Sequence, residues 1–286
     1  MSIHFLQQFP KVLAVSSTKA DGPMGSSKNP GPDGGSFRNS ARLLNGFGID
    51  AKERLVRAGQ VHGASVRWIH QLPPKEETTG PDGSAAKVRR VADVDGLVTY
   101  NPEIVLGVVA SDCYPIFFYY PPTSSMAPHG IIGMAHAGRA GVMLKIANVA
   151  VEAMYLAGAQ KLSEIRVAIG PGICGKCHIL HHKRDKADIT FFELGYPKCI
   201  SPAKSGPEMV GVDLLYVIRR QLIQAGIHAE HIEVSGECTA CPENREKFFS
   251  YRRDKREAGN VQNMLSIIGF RGRDRSGSEE PSGSMR

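Results

Sequence analysis

The sequence contains no apolar run near the ~18 residues that a membrane-spanning helix needs, so it excludes an integral membrane protein of that kind. Its start, MSIHFLQQFPKVLAVSSTKADG, also lacks the charged segment followed by an apolar stretch that marks a secretory signal. We therefore expect a cytoplasmic protein without a membrane partner.

Aromatic residues make up only 7% of the 286 residues, but 42% of the sequence is hydrophobic and 22% is charged. This balance excludes a wholly disordered or fibrous chain, which would have too few apolar residues for a core. No internal repeat and no central linker divide the sequence. We expect one domain over 1–270, a Gly- and Pro-rich loop over 20–36, and a disordered Gly- and Ser-rich tail over 271–286.

Cysteine is too scarce for a disulfide scaffold, because six cysteines without an export signal indicate thiols or metal ligands. Cys174 with Cys177, and Cys238 with Cys241, form two C-x-x-C pairs. Together the pairs could form a structural zinc site, although their separation far exceeds the roughly 15 to 20 residues of a zinc ribbon. Buried free thiols are the alternative, and Cys199 has no partner in this pattern.

Basic residues exceed acidic ones by 35 to 28, a net charge of +7 that favours anionic partners of any kind. No RNA- or DNA-binding motif accompanies this charge, so we expect no nucleic-acid partner. The charge by itself does not choose between a nucleic acid and a phosphate-bearing small molecule.

Short β-branched runs over 104–110, 130–135 and 165–169 are typical of buried strands. Apolar residues at helical spacing predict one helix that ends at Gly158, and a second from about Asp213, a good N-cap residue, to Gly226. Because strands and helices alternate loosely, the pattern predicts an α+β fold with a mixed β-sheet core and flanking helices.

Three separate segments, QVHG, SDC and AHAG, place a soft or borderline metal ligand beside a turn or strand end. They supply His62, Cys113 and His136. Zinc accepts such nitrogen and sulfur donors, and a catalytic zinc site keeps a fourth position open. The segments are too far apart for a local zinc finger, and a hydrogen-bonded structural role is the alternative for each histidine.

These segments and several others occur in the order found in the multicopper-oxidase-like or laccase-domain family, which the sequence resembles. The matching runs are QVHG at 60–63, ADVDGLVT at 92–99, SDCYPIFF at 111–118, AHAG at 135–138, IGPGI at 169–173, VDLLYVIRRQL at 212–222, CT at 238–239 and FFSYRRD at 248–254. The family is also called the polyphenol-oxidase or peptidoglycan-editing-factor family. The resemblance implies a single domain of the laccase-domain, cytotoxic-necrotizing-factor-like type.

Members of this family are understood as purine nucleoside phosphorylases with adenosine deaminase activity. The resemblance therefore implies a zinc enzyme whose partners are inorganic phosphate and purine nucleosides, namely adenosine, inosine and methylthioadenosine. It assigns zinc to His62, Cys113 and His136. A zinc ion with an open position lowers the pKa of water toward neutrality, which deamination at purine C6 requires.

The resemblance also implies which residues act on the substrates. Catalytic roles fall to Asp112, Arg252 and Arg253, and substrate binding to Gln60, Asn39 and Arg253. A guanidinium group suits a phosphate ion because it donates two parallel hydrogen bonds. A solvated basic turn is the alternative for the two arginines.

Some family positions differ in this sequence. The usual His-Ala-Gly-Trp-Arg-Gly segment reads His-Ala-Gly-Arg-Ala-Gly, so the aromatic residue is absent and Arg139 comes one place early. A Ser-Thr-Arg motif ends in Lys19, and an Asn-Arg pair survives as Asn39 and Ser40. The resemblance therefore implies altered substrate contacts from the N-terminal third of the chain. The three metal positions, His62, Cys113 and His136, are all present.

Two further patterns do not indicate function. GPGICG at 170–175 satisfies the G-x-G-x-x-G spacing, but no helical pattern follows it, as a dinucleotide site would require. His178, His181 and His182 could bind a metal, yet the lysines and arginine that follow favour a solvated basic loop.

Two other functions compete with the phosphorylase. A copper-dependent polyphenol oxidase needs several copper centres with many histidine ligands, but only two of the ten histidines lie in the matching motifs. A cysteine hydrolase that edits cell-wall precursors would use Cys113 as nucleophile and His136 as base. The metal content of the purified protein and its activity after chelation distinguish the three.

Overall fold

A computed structural model describes residues 2–25, 35–79, 85–122, 127–258 and 261–271 of the protein. The strands within these ranges are β1 Ile3–Phe5, β2 Val12–Ser16, β3 Leu55–Ala58, β4 Val66–Trp68, β5 Lys75–Thr79, β6 Ala85–Val91, β7 Gly96–Thr99, β8 Val105–Ala110, β9 Tyr114–Tyr120, β10 Ile131–Ala137, β11 Arg166–Ile169, β12 Ile179–His181, β13 Ile200–Pro202, β14 Met209–Val212, β15 Ile232–Val234 and β16 Met264–Phe270. The helices are α1 Gly35–Asn45, α2 Ala51–Arg54, α3 Arg139–Met143, α4 Ile146–Leu156, α5 Lys186–Gly195, α6 Leu214–Gln224 and α7 Tyr251–Ala258.

The described strands form three sheets. A seven-stranded sheet has the order β1-β2-β16-β8-β3-β6-β5, and a six-stranded sheet has the order β15-β11-β9-β10-β7-β4. Both are mixed, because β3 pairs in parallel with β6 and β8, and β11 with β15, whereas β9 and β10 are antiparallel. A small sheet of order β12-β14-β13 completes the fold. The predicted α+β class with a mixed sheet core is confirmed.

The two large sheets pack face to face, and helices cover both outer faces. Alternate residues of β9 point to opposite sides, so Phe117 joins the core between the sheets and Phe118 the core under α4 and α6. Leu44 of α1 packs on the outer face of the seven-stranded sheet. Strands buried on both faces explain the continuous apolar runs of the sequence.

The strands expected at 104–110, 130–135 and 165–169 are β8, β10 and β11. The helix expected from Asp213 is α6, where the Asp213 side chain accepts a hydrogen bond from the backbone N–H of Tyr216 at 3.0 Å. The helix expected up to Gly158 is instead two helices, α3 and α4.

Lys145 separates α3 from α4 in a left-handed conformation, with φ of 59°. This break leaves Leu144 exposed and turns Ile146 into the core. Of the expected loop over 20–36, residues 26–34 lie outside the described part of the chain, as does the expected tail from residue 272 onward. No helix within the described ranges is long and apolar enough to cross a membrane.

Candidate functional site

His62, Cys113 and His136 lie together where the two large sheets meet, next to the ends of β3, β9 and β10. Their ligating atoms are all within 4.8 Å of one another. Cys113 immediately precedes β9, and His136 lies near the end of β10, so the antiparallel pairing of these strands brings the two residues together. His62 follows β3 in the loop that leads toward β4. The sheets therefore gather ligands that are far apart in sequence.

The carboxylate of Asp95 holds two of the three ligands in place. It is fully buried and accepts hydrogen bonds from the backbone N–H groups of Val61 at 3.2 Å, His62 at 3.0 Å and Gly63 at 2.7 Å. It also accepts the Nδ1–H of His136 at 2.9 Å. The Nε2 atom of His136 is then left to bind a metal in place of its proton, as in other carboxylate–histidine–metal arrangements.

Backbone geometry around His62 is tightly constrained. His62 has a φ of 63° and Gln60 has a φ of 56°, a left-handed conformation that is costly for residues other than glycine. The buried Gln60 amide spans both backbone groups of Val109, donating to its carbonyl at 2.6 Å and accepting its N–H at 2.8 Å. Gln60 thus ties the His62 loop to β8, and it also lines the smaller part of the cavity described below.

The thiol and the imidazole in this site stabilise each other's charged forms. Burial disfavours the Cys113 thiolate, but the positive charge of His136 and hydrogen bonds from His136 and His62 outweigh it and lower the Cys113 pKa to about 6. Burial likewise opposes protonation of His136, yet Cys113 and Asp95 raise the His136 pKa to about 9. At neutral pH the metal-free site therefore contains a thiolate, the form of cysteine that binds metals.

One side of the three-residue set faces solvent. His136 is only 3% exposed, Cys113 is half-buried and His62 is exposed. Gly138 leaves room for the set, because a Cβ atom at this position would lie 2.8 Å from the Cys113 sulfur. The glycine of the His-Ala-Gly segment is therefore needed for close approach to the thiolate.

A cavity with two lobes adjoins these ligands. The larger lobe has a volume of about 680 Å³ and the smaller about 360 Å³, and both are lined by His62, Asp112, Cys113 and Tyr251. The larger lobe also has four cationic side chains, those of Arg139, Arg184, Arg252 and Lys255, against the carboxylates of Asp112 and Asp185. The smaller lobe is lined mainly by uncharged groups.

Asp112 joins Cys113 to the chain segment that carries Arg252. Its Oδ1 accepts hydrogen bonds from the hydroxyls of Thr239 at 2.6 Å and Ser250 at 2.9 Å. Its Oδ2 accepts the backbone N–H of Arg252 at 2.7 Å. Burial raises the Asp112 pKa to about 6, although these three donors oppose the increase. The carboxylate fixes the start of α7 next to Cys113.

The two adjacent arginines have different surroundings. Arg252 lines the larger lobe, and its Nη1 donates to the Ile179 carbonyl at 2.9 Å. Arg253 is 8% exposed and lines neither lobe. Its guanidinium donates to the carbonyls of Thr239 and Phe248 and to the carboxylate of Asp254, at 2.6 to 2.9 Å. The expected phosphate contact therefore fits Arg252, whereas the Arg253 side chain is directed into the protein.

Asn39, which was also expected at the substrate, lies away from both lobes. Its amide donates to the Pro23 carbonyl at 2.9 Å and its Oδ1 accepts from Arg42 at 3.3 Å. Asn39 therefore caps a neighbouring loop in this structure. The G-x-G-x-x-G segment follows β11 and leads into β12 without opening a helix, unlike a dinucleotide site.

Sequence reasoning missed two residues at the cavity. His178, placed in a solvated loop, is 6% exposed and lines the larger lobe, with its Nδ1 donating to the Val212 carbonyl at 3.1 Å. Burial lowers its pKa to about 4, so the imidazole is neutral. Tyr251 has its phenol oxygen 2.6 Å from the Lys255 ammonium. The SYRRD match could have indicated Tyr251, but nothing local distinguishes His178 from His181.

Several relatives are similar to this chain in sequence, and several solved structures are similar to it in fold. Purine nucleoside phosphorylase YlmD of Geobacillus stearothermophilus is 33% identical over 222 residues, which cover 77% of this chain and 73% of the relative. A purine nucleoside phosphorylase of Deinococcus radiodurans is 30% identical over 232 residues, or 81% of this chain and 76% of the relative.

The crystal structure of YfiH from Bacillus licheniformis matches with a TM-score of 0.71 and 26% identity, covering 94% of this chain and 96% of that one. The structure of Geobacillus stearothermophilus YlmD matches with a TM-score of 0.70 and 29% identity, over 92% and 93% of the two chains. The family profile described as multi-copper polyphenol oxidoreductase laccase matches residues 36–270. The chain therefore belongs to this laccase-domain family, as its motifs indicated.

Proposed function

We propose that the protein is a zinc-dependent purine nucleoside phosphorylase that also deaminates adenosine. The observation that carries this proposal is the set of His62, Cys113 and His136, with one side open to a cavity that holds cationic side chains. Relatives named purine nucleoside phosphorylase support the same reaction class. The reducing cytosol expected from the sequence would keep Cys113 available as a thiolate.

The donor set fits a catalytic zinc ion. Two imidazoles and one thiolate are ligands that zinc prefers, and three protein ligands leave a position for substrate or water. Asp95 would act as the carboxylate that orients His136. When bound, zinc supplies Lewis acidity toward the nucleoside and lowers the pKa of water, the chemistry that deamination at purine C6 needs.

The larger lobe suits inorganic phosphate. Its lining includes the cationic side chains of Arg252, Lys255 and Arg139. The positive charges along this lobe outnumber the negative charges of its carboxylates. Arg139 is oriented by Asp185 at 3.4 Å and Asp188 at 3.1 Å. Although this arginine comes one place early in its segment, it therefore still reaches the cavity. We assign phosphate positioning chiefly to Arg252, whose backbone is fixed by Asp112.

The smaller lobe and its junction with the larger one suit the nucleoside. Tyr251 lines both lobes and is about half exposed, so its ring is available to stack on a purine. The neutral His178 presents an unprotonated Nε2, because Nδ1 donates to a carbonyl. This nitrogen can accept a hydrogen bond from a ribose hydroxyl in the larger lobe.

In phosphorolysis, an oxygen of the bound phosphate forms a bond to the anomeric carbon of ribose as the bond to the purine N9 breaks. The products are ribose 1-phosphate and the free base, which takes up a proton. The residues of this chain hold the two reactants in one cavity and in fixed orientation, an effect that accounts for much of the rate in such displacements. Deamination would instead replace the C6 amino group of adenosine by oxygen from water and release ammonia.

The direct test is base release from inosine and adenosine by protein purified without added metal. We expect hypoxanthine and adenine to form only with phosphate present, and adenosine to release ammonia without phosphate. A chelator should abolish both activities, and zinc should restore them. Base release that is independent of phosphate, or activity restored by copper alone, would contradict the proposal.

Replacing Arg252 by alanine should raise the KM for phosphate about 10- to 100-fold, because a charge-assisted hydrogen bond to phosphate contributes about 1.5 to 3 kcal/mol. Steady-state kinetics with phosphate as the varied substrate measure this change. The exposed Arg219 of α6 is the matched control, and Arg219→Ala should leave the KM unchanged.

By contrast, Arg253→Ala should lower the melting temperature by at least about 5 °C, since it leaves buried acceptors unpaired.

A cysteine hydrolase is the second candidate, because Asp95, His136 and Cys113 also form a carboxylate–imidazole–thiol series. His62 separates the two functions, since a hydrolase needs only one of the histidines. Hydrolysis of a cell-wall peptide by His62→Ala protein after rigorous chelation would favour the hydrolase. Loss of phosphorolysis in both His62→Ala and His136→Ala would favour the metal enzyme.

A further inference from the structure

Four cysteines form a second cluster that the proposed activity does not use. Cys174 and Cys177 lie in the turn after β11, and Cys238 and Cys241 lie between β15 and α7. All four sulfur atoms are within 4.8 Å of one another. Cys238 is buried and the other three are half-buried. The sequence separates the two pairs widely, but the fold brings them to one point.

The sheet topology explains why the two pairs meet. Strands β11 and β15 are parallel neighbours, with Val167 opposite Ile232. The chain segments that leave these strands continue side by side, and a parallel bridge joins Gly172 to Cys238. The backbone N–H of Thr239 then donates to the Gly172 carbonyl at 3.1 Å. Each strand therefore delivers one C-x-x-C pair to the same place.

Two of the sulfur–sulfur distances match tetrahedral coordination, and all four cysteines are free thiols in this structure. The Cys241 sulfur lies 3.8 Å from that of Cys174 and 3.7 Å from that of Cys177. Four sulfurs at about 2.3 Å from a zinc ion would be separated by about 3.8 Å along each edge of the tetrahedron. A disulfide would require about 2.05 Å.

Two backbone N–H groups donate to one sulfur of the cluster, that of Cys238, as such groups do to metal-bound thiolates. The N–H of Cys174 donates to the Cys238 sulfur at 3.2 Å, and the N–H of Ala240 also donates to this sulfur. Within the first pair, the Cys177 N–H donates to the Cys174 carbonyl at 3.0 Å, which closes a tight turn. Such hydrogen bonds stabilise negative charge on the sulfur ligands and fix their orientation.

We propose that Cys174, Cys177, Cys238 and Cys241 bind a second, structural zinc ion. Four thiolates complete the tetrahedron, so no position remains for substrate, unlike at His62, Cys113 and His136. The ion would link two segments that build the catalytic cavity. One carries His178, and the other carries Thr239, whose hydroxyl holds Asp112 at 2.6 Å. Its role is to keep these walls together.

The first test measures metal in full-length protein purified without added zinc. Wild type should contain about two zinc ions per chain, and Cys113→Ala about one. X-ray absorption at the zinc edge of Cys113→Ala protein should show four sulfur ligands at about 2.3 Å and no nitrogen or oxygen ligand. Only the four-cysteine cluster can give this signal, because Cys199, the other cysteine left, is a single buried thiol.

Three results would overturn the proposal. If Cys113→Ala protein contained no zinc, the four cysteines would not form a zinc site. Disulfides among these cysteines in freshly purified protein would lead to the same conclusion. Iron in place of zinc within an all-sulfur shell would refute the identity of the metal, since iron also accepts four thiolates. None of these results depends on phosphorolysis, so failure of the proposed activity remains a separate outcome.

The second test removes one ligand from each pair. Cys177→Ala/Cys241→Ala protein should lose about one zinc ion per chain and melt at least about 10 °C lower than wild type. Cys199→Ala, which removes a buried cysteine outside the cluster, should retain both ions. Unchanged zinc content in the double variant would contradict the proposal. If that variant does not fold, the measurements on wild type and Cys113→Ala decide.

Discussion

Replacing Cys113 by alanine is expected to lower kcat/KM for inosine phosphorolysis by at least about 10³-fold. A catalytic metal supplies several kcal/mol of transition-state stabilisation, and each 1.36 kcal/mol corresponds to a factor of ten. The substitution removes the thiolate of the three-residue set, whose negative charge is the main cause of the raised His136 pKa. Zinc content should fall by about one ion per chain, measured on the same preparation as the rate.

Cys199→Ala is the matched control for this experiment. Cys199 is 2% exposed in the core beside α5 and belongs to none of the described metal-ligand groups. Its loss should leave kcat/KM within about twofold of wild type, with a lower melting temperature from the cavity that the substitution creates. Cys113→Ala protein that keeps its metal and full rate would refute the assignment of the site.

Much of this fold could be predicted from local patterns. The sequence runs that form β8, β10 and β11 are apolar on both faces, and α6 begins directly after a residue whose side chain caps it. Each of these elements can therefore be predicted from its local sequence alone. The break at Lys145 was not predictable, because apolar spacing continues across it and the chain turns to bury Ile146. Tertiary packing therefore determines where α3 ends and α4 begins.

Residues of the candidate site were predictable to the extent that they lie in motifs. Arg252 and Arg253 are adjacent and chemically alike, yet one faces the cavity and the other donates to carbonyls inside the protein. Sequence alone does not give the direction of each side chain at the start of α7. His178 precedes β12 and is held against Val212 of β14 by its side-chain hydrogen bond, a contact between segments that no local pattern encodes.

Asp95 lies in the ADVDGLVT run, and its hydrogen bonds to the His62 loop and to His136 support a role in orienting the candidate metal ligands. Replacing it by asparagine should weaken zinc binding at the three-residue set about 10- to 100-fold, as is usual for loss of an orienting carboxylate. Each carboxylate oxygen accepts two N–H groups, two from the His62 loop on one oxygen and one each from His62 and His136 on the other. An asparagine must turn its NH₂ group toward one of these donor pairs.

The donors of that pair face the fully buried side chain at position 95 and lose their acceptor. Each unpaired donor costs about 1 to 3 kcal/mol, so the melting temperature should fall by at least about 5 °C. Asp93→Asn is the matched control, because Asp93 lies exposed two positions away with a φ of 56°, which asparagine tolerates well. Competition with a chromophoric chelator measures the zinc affinity of both variants. Equal zinc affinities in Asp95→Asn and wild type would show that the carboxylate does not position the metal ligands.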